Sequence, residues 1–282
     1  MFSVLIDQFW SLTIAGVALG FIYVLVSLGY TMVYGVLRMI NFANSEIFMW
    51  GTFGTIITSR DIFGYTQTSA PATGFKLALV LFSQLLMSMA VAGLTAVFVE
   101  FVAYRRLRAK GTNRLATLIS AIGISIVLSE IMRLLTSSRP VGSPRVLEKI
   151  ILTEVWGANI RLDTVITIFA AAAIYFILER FVKLSRMGKA IRAVSMNEDA
   201  AKLMGVNLNR VITTTFLVGG LATGAAGFFY ITVFEYTKFN IGFTMGMAAF
   251  TAAVLGGIGN IRGAFYGGIF LGLLEVYASA VL

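Results

Sequence analysis

Eight apolar stretches occupy most of this chain, and they constrain its fold more than any other feature. They run roughly over residues 14–36, 40–58, 75–103, 115–135, 164–181, 211–234, 241–257 and 264–282. Crossing about 30 Å of hydrocarbon takes roughly 20 helical residues, which is close to the length of most of them. The second and seventh are short and interrupted, by Asn41, Asn44 and Glu46 in one and by Gly242, Gly246, Gly256 and Gly257 in the other. Each is therefore expected to enter the membrane as a broken or re-entrant element, which is tolerated only inside protein or around a cavity. Only 12% of residues are charged, about half the fraction of a soluble domain. The expected fold is all-α: a polytopic helical membrane protein with one transmembrane domain over residues 1–282.

Basic residues set the orientation. Residues 104–114 carry Arg105, Arg106, Arg108, Lys110 and Arg114 with no acid, and residues 179–210 carry seven basic residues against three acidic ones. Short loops rich in Lys and Arg stay cytoplasmic, so 183–210 reads as a cytoplasmic loop. If all eight stretches cross, 14 of the 22 basic residues lie inside and 8 outside, with the N-terminus outside. The loop over 136–163 weakens this bias, because Arg139, Arg145, Lys149 and Arg161 fall there beside Glu148, Glu154 and Asp163. The net charge of +9 thus reflects topology beside membrane lipid, not a nucleic-acid partner. No Lys/Arg-rich segment or A-x-A-like cleavage site surrounds the first stretch, so it is expected to be retained.

The chain has no cysteine and no histidine. This excludes disulfides, thiolate nucleophiles, Ser-His-Asp triads, His- or Cys-ligated zinc and haem ligation by histidine. The only Gly-Lys pair, Gly188-Lys189, is followed by Ala190, so there is no phosphate-binding P-loop. The run Gly256-Gly-Ile-Gly-Asn-Ile-Arg-Gly263 misses the dinucleotide spacing at Arg262. No catalysis, cofactor or metal is expected on this chain, and any ATP hydrolysis belongs to another subunit.

Three groups of residues remain as candidates. Asn41, Asn44, Ser45 and Glu46 form a polar cluster in an apolar segment, suited either to lining a pathway or to capping and interhelical hydrogen bonds. Glu100, Glu130 and Glu275 also lie within or near apolar stretches, where a central charge costs about 2.5–3.5 kcal/mol. Glu100 is expected to pair near Tyr104 and Arg105, and Glu130 with Arg133 one turn on. In residues 197–205, Asn197 is a natural N-cap, Glu198 and Asp199 suit the first turn, and Gly205 suits the stop. Ala200, Leu203 and Met204 would give that short helix an apolar face, for the lipid interface or for a cytoplasmic partner. Glycines recur four apart at Gly16/Gly20, Gly220/Gly224, Gly242/Gly246, Gly263/Gly267 and Gly268/Gly272, a spacing that permits close helix packing. Residues 255–272 alone hold seven, including Gly256, Gly257 and Gly259, which also suits a bend beside a pathway.

Three blocks of this sequence resemble the LivH-type permease subunits of branched-chain amino-acid ABC transporters. Residues 20–51, Gly-Phe-Ile-Tyr-Val-Leu-Val-Ser-Leu-Gly-Tyr-Thr-Met-Val-Tyr-Gly-Val-Leu-Arg-Met-Ile-Asn-Phe-Ala-Asn-Ser-Glu-Ile-Phe-Met-Trp-Gly, are similar to the family's signature stretch. Relatives commonly carry His and Gly where this chain has Asn44 and Ser45. The 197–205 helix, with Asn197, Glu198, Asp199, Ala200, Ala201, Leu203, Met204 and Gly205, is similar to the EAA-type segment that importer permeases insert into their ATPase. The third block is the glycine-rich stretch 250–264, followed by Gly267 and Gly268.

The resemblance implies an inner-membrane permease subunit for branched-chain or related amino acids. It implies a second permease of the LivM type, two ATPase subunits that bind ATP and Mg, and an extracytoplasmic substrate-binding protein. On that reading Asn41, Asn44 and Glu46, with Thr251, are expected near the translocation pathway. Importers of urea or short amides, ion-gradient-driven transporters or channels, and assembly subunits are the other classes compatible with the residues.

Overall fold

The computed structural model describes residues 8–110, 114–155 and 158–281. Leu282, at the end of the eighth expected stretch, and residues 111–113 of the first basic loop lie outside them. The described residues begin with α1 (Phe9–Leu37) and the short α2 (Asn44–Ile57), which ends in a π-turn at Thr58–Ile62. α3 (Gly74–Val99) continues through a second π-turn into α4 (Arg106–Ala109), and α5 (Arg114–Leu135) follows. After a loop containing β1 (Val141–Gly142), β2 (Ile151–Val155) and β3 (Ala158–Arg161) come α6 (Leu162–Leu184), α7 (Arg186–Met196) and α8 (Glu198–Leu203). α9 (Leu208–Phe234), β4 (Tyr236–Thr237), α10 (Ile241–Leu255) and α11 (Ile261–Val281) complete the order.

Six helices among the described residues are long and apolar enough to cross a membrane: α1, α3 with its continuation, α5, α6, α9 and α11. The two expected to be short are α2, at 14 residues, and α10, at 15. At 1.5 Å per residue each rises only about 21–23 Å.

A helix that is apolar all round belongs in an interior, and α1 is buried on every side from Gly20 to Val33. Its neighbours approach closely because glycine removes the side chain between them. A Cβ on Gly20 would lie 2.9 Å from Ile269 Cα on α11, and one on Gly219 of α9 would lie 3.3 Å from Gly29 Cα. Lipid supplies no hydrophobic force between helices, so such close contacts and buried hydrogen bonds hold the bundle. Ser88 Oγ of α3 lies 2.8 Å from Gly51 O of α2 and 2.6 Å from Gly224 O of α9, joining three helices.

Most of the glycines named from sequence pack in this way. Gly220 and Gly224 face Ala92, Ala96 and Ser88 on α3, Gly256 faces Gly263, Gly267 faces Ala252, and Gly268 faces Val24. Gly257 and Gly259 instead turn the chain between α10 and α11 at φ +85° and +95°, a region open to glycine at little cost. Glu100 is fully buried and pairs not with Arg105 but with Arg108, at 3.1 Å, while accepting from Thr213 at 3.1 Å. The π-turn swings Arg108 back over the carboxylate, tying α3 to the start of α9. Glu130 and Arg133 pair as expected.

Candidate functional site

α2 starts deep in the bundle. Asn44 Nδ2 donates to Val26 O of α1 at 3.1 Å, and Thr223 Oγ1 of α9 lies 3.3 Å from Asn44 Oδ1. Val26 stands about 16 Å of helical rise above the end of α1 at Leu37, so residues 38–43 return into the bundle as irregular chain before α2 rises. α10 begins against the same place: a Cβ on Gly242 would lie 2.9 Å from Glu46 Oε2, and one on Gly246 would lie 3.0 Å from Ser45 Cα and 3.1 Å from Tyr30 Oη. The two short helices therefore start side by side in the interior, with their positive dipole ends around Glu46.

The polar cluster divides by direction. Asn44 is committed to α1 and α9. Asn41 Oδ1 accepts from Tyr104 Oη at 3.1 Å, while its Nδ2 has no hydrogen-bond partner among the described residues. Glu46 is 4% exposed and its Oε2 is likewise unpartnered. Ser45 lines a cavity of about 270 Å³ with Phe42, Ser125 of α5, and Phe243, Met247 and Phe250 of α10. Thr251 lies on an exposed face of α10, its hydroxyl donating back to Met247 O at 2.9 Å.

At the end of the bundle where α1 finishes, α7 and α8 form the loop between α6 and α9. Ser185 Oγ accepts from Gly188 N at 2.8 Å to cap α7, and Asn197 Oδ1 accepts from Ala200 N at 2.9 Å to cap α8. Gly205 ends α8 at φ +81°. Glu198 and Asp199 pair with Lys202 at 3.0 and 3.3 Å. The residue that α8 turns inward is Ala201. Ala200, Leu203 and Met204 point away, the latter two 89% and 84% exposed, beside Met196 at 84%. The apolar face expected from sequence is thus present and uncovered.

α7 was not expected as a helix of its own, although its Ile191 and Val194, three apart and buried, carry the signal. It rests on α6, α9 and α1. Arg38, at the left-handed end of α1, donates from Nη2 to Ser195 O at 2.6 Å. That bond joins the loop bearing α8 to the irregular segment leading into α2, and no local sequence pattern announces it. At the same end Arg262 pairs with Glu179 at 2.9 Å. No group of three or more Asp or Glu placed to hold a metal occurs among the described residues.

Residues 12–282 match the family described as branched-chain amino acid transport system / permease component. The high-affinity branched-chain amino acid transport system permease protein LivH of Escherichia coli K12 is 40% identical over 274 residues, covering 95% of this chain and 85% of LivH. LivH of Salmonella typhimurium is 39% identical over the same lengths. BraD of Pseudomonas aeruginosa, of the same description, is 35% identical over 269 residues, 94% of this chain and 85% of BraD. No solved structure matches the chain.

Proposed function

Because this chain belongs to the permease components of branched-chain amino acid transport systems, we propose that it forms half of a membrane pathway for branched-chain or related amino acids. It is a transport subunit and not an enzyme: ATP is hydrolysed by separate ATPase subunits, and a substrate-binding protein serves the system. In our reading the other half of the pathway is a permease similar to LivM, two ATPases sit beneath the pair, and the N-terminus lies outside. α8 is the part that docks on an ATPase. The observation carrying this is the uncovered apolar trio of Leu203 at the end of the capped helix α8, Met204 just after it and Met196 at the end of α7, at the basic end of the bundle.

The proposed stroke follows from what the helix touches. Movement of the ATPase shifts α8 and α7, and the Arg38–Ser195 bond passes the shift to residues 38–43 and the start of α2. There Asn41, Ser45 and Glu46 would alternate between closed packing and contact with the pathway beside α10, with Thr251 on the same helix. Asn44 holds α2 to its neighbours. Because Gly242 and Gly246 bring no side chain from α10 to its contact with Ser45 and Glu46, the two starts are able to part without unpacking side chains of α10 there.

The test is reconstitution of the chain with a LivM-type permease, ATPases and binding protein, followed by uptake of labelled leucine. ATP-dependent uptake is expected, with Glu198→Lys abolishing it while insertion and assembly persist. Uptake by this chain alone without ATP, or unchanged substrate-stimulated ATPase activity in Glu198→Lys, would contradict the proposal.

A further inference from the structure

A cavity of about 630 Å³ lies in the outer half of the bundle, between α1, the end of α9, the start of α10 and the end of α11. The stroke described above does not use it. Its wall carries Glu275 of α11, and Tyr23 Oη of α1 donates to Glu275 Oε2 at 2.6 Å. Long helical side chains lean toward their own N-terminus, so on these antiparallel helices the tyrosine reaches outward and the glutamate inward until they meet.

Glu275 makes no salt bridge among the described residues, and neither does Lys238, which lines the same cavity from the turn before α10. Arg161, also in the wall, is already paired with Asp163. An ionisable group at membrane depth without an ionic partner faces water or a ligand. The remaining wall is mostly aliphatic, including Ile22, Ile241 and Met245. One unpaired carboxylate, one unpaired ammonium and an aliphatic floor are the complement of a zwitterion with an apolar side chain. The volume lies within the range of small-molecule sites.

Resting on the permease reading above, we infer that this cavity is an outward-facing holding site for the transported amino acid. Glu275, steadied by Tyr23, takes the substrate ammonium, Lys238 takes its carboxylate, and Ile22, Ile241 and Met245 receive its side chain. Glu275→Gln would remove the charge for the ammonium while keeping the hydrogen bond from Tyr23. A zwitterionic phospholipid headgroup carries the same pair of charges, so the test separates the two.

The chain has no cysteine, so Ser279→Cys in the cavity wall introduces the only thiol of this subunit. In the reconstituted complex, with partner thiols replaced, labelling by a membrane-impermeant maleimide added outside reads occupancy. L-Leucine delivered by the binding protein is expected to slow labelling at least fivefold. Isoamylamine and 4-methylpentanoate, each lacking one charge, are expected to leave it unchanged, and Glu275→Gln to remove the protection by leucine. Labelling indifferent to leucine, in a complex that still takes up leucine with ATP, would overturn the inference. So would protection that follows phosphatidylethanolamine content in the nanodisc rather than leucine. Absence of ATP-driven uptake by the unmodified complex would count instead against the permease reading.

Discussion

Replacing Asn197 with Ala isolates the contribution of helix formation in α8 to coupling. Asn197 Oδ1 accepts the Ala200 N–H at 2.9 Å, one of the orphan donors at a helix start, and loss of such a cap costs about 1 kcal/mol. α8 has 6 residues and only Ala201 buried, far short of the length at which an isolated helix holds by itself. A cost of about 1 kcal/mol in so marginal a helix lowers the ratio of formed to frayed states about fivefold, since 1.4 kcal/mol is tenfold. A partner that binds only the formed helix then binds up to about fivefold more weakly. Hydrogen exchange at the Ala200 and Ala201 amides should accelerate by about that factor, and leucine uptake at limiting ATPase should fall by up to the same factor. Asn197→Ser, which keeps an accepting oxygen, should restore both. Faster exchange with unchanged uptake would refute docking through a preformed helix, and unchanged exchange would refute the capping argument.

Arg38→Gln removes the guanidinium bond to Ser195 O, and we expect ATP hydrolysis to persist while uptake per ATP falls several-fold; equal losses in both would place Arg38 in assembly instead. Gly268→Ala puts a Cβ 2.8 Å from Val24 N and should cost about 1–3 kcal/mol, read as a lower thermal midpoint, whereas Gly35→Ala, with nothing within 4 Å, should not lower it. Partial burial pushes the Glu235 carboxyl up, but hydrogen bonds from Arg145 and Lys149 outweigh it and hold it below the ordinary carboxylate range. A lowered folded value means that the pairing of Glu235 with Arg145 and Lys149 is present at neutral pH and is lost as pH falls through that lowered value. Exchange at Ser143 N, bonded to Glu235 O and taken relative to the intrinsic amide rate at each pH, should therefore stay flat at neutral pH and rise in acid. Glu235→Gln should flatten that rise.

How much was legible in the sequence depended on whether a residue's partners were local. The six long spans, the shortness of α2 and α10, and the cap and stop of α8 all follow from hydropathy runs, Asn197 and Gly205, whose physics is complete within a few residues. The Glu130–Arg133 pair was legible for the same reason. Glu100 was legible only in part: its need for a cation was clear, but Arg108 and not Arg105 supplies it, and its other oxygen accepts from Thr213, far along the chain. Asn44 shows the same limit more strongly. Its polarity marked the segment, yet only Val26 O and Thr223, distant in sequence, decide that it holds helices together while Ser45 faces a cavity. Arg38 and Glu275 each engage partners more than 150 residues away, and nothing in one sequence pairs them.

The interior junction of α2 and α10 gathers polar groups where two helices start inside the bundle. A buried polar atom left without a partner costs about 1–3 kcal/mol, and Asn41 Nδ2 and Glu46 Oε2 are both in that condition within a few residues of each other. Other buried hydroxyls tie elements together: Ser88 bonds across α2 and α9, and Thr52 of α2 meets Thr237 of β4. Unpartnered groups of this kind gain most from an arrangement in which a polar partner reaches them. Such a difference is what a transporter needs, because a substrate moves an equilibrium only by its differential contact with the two states. In the proposed stroke the irregular segment 38–43 and the contact at Gly242 and Gly246 would be where the chain moves. Through Arg38 that junction is one hydrogen bond from the loop carrying α8. In the proposed stroke the polar junction in the interior and the loop carrying α8 therefore act as a single device.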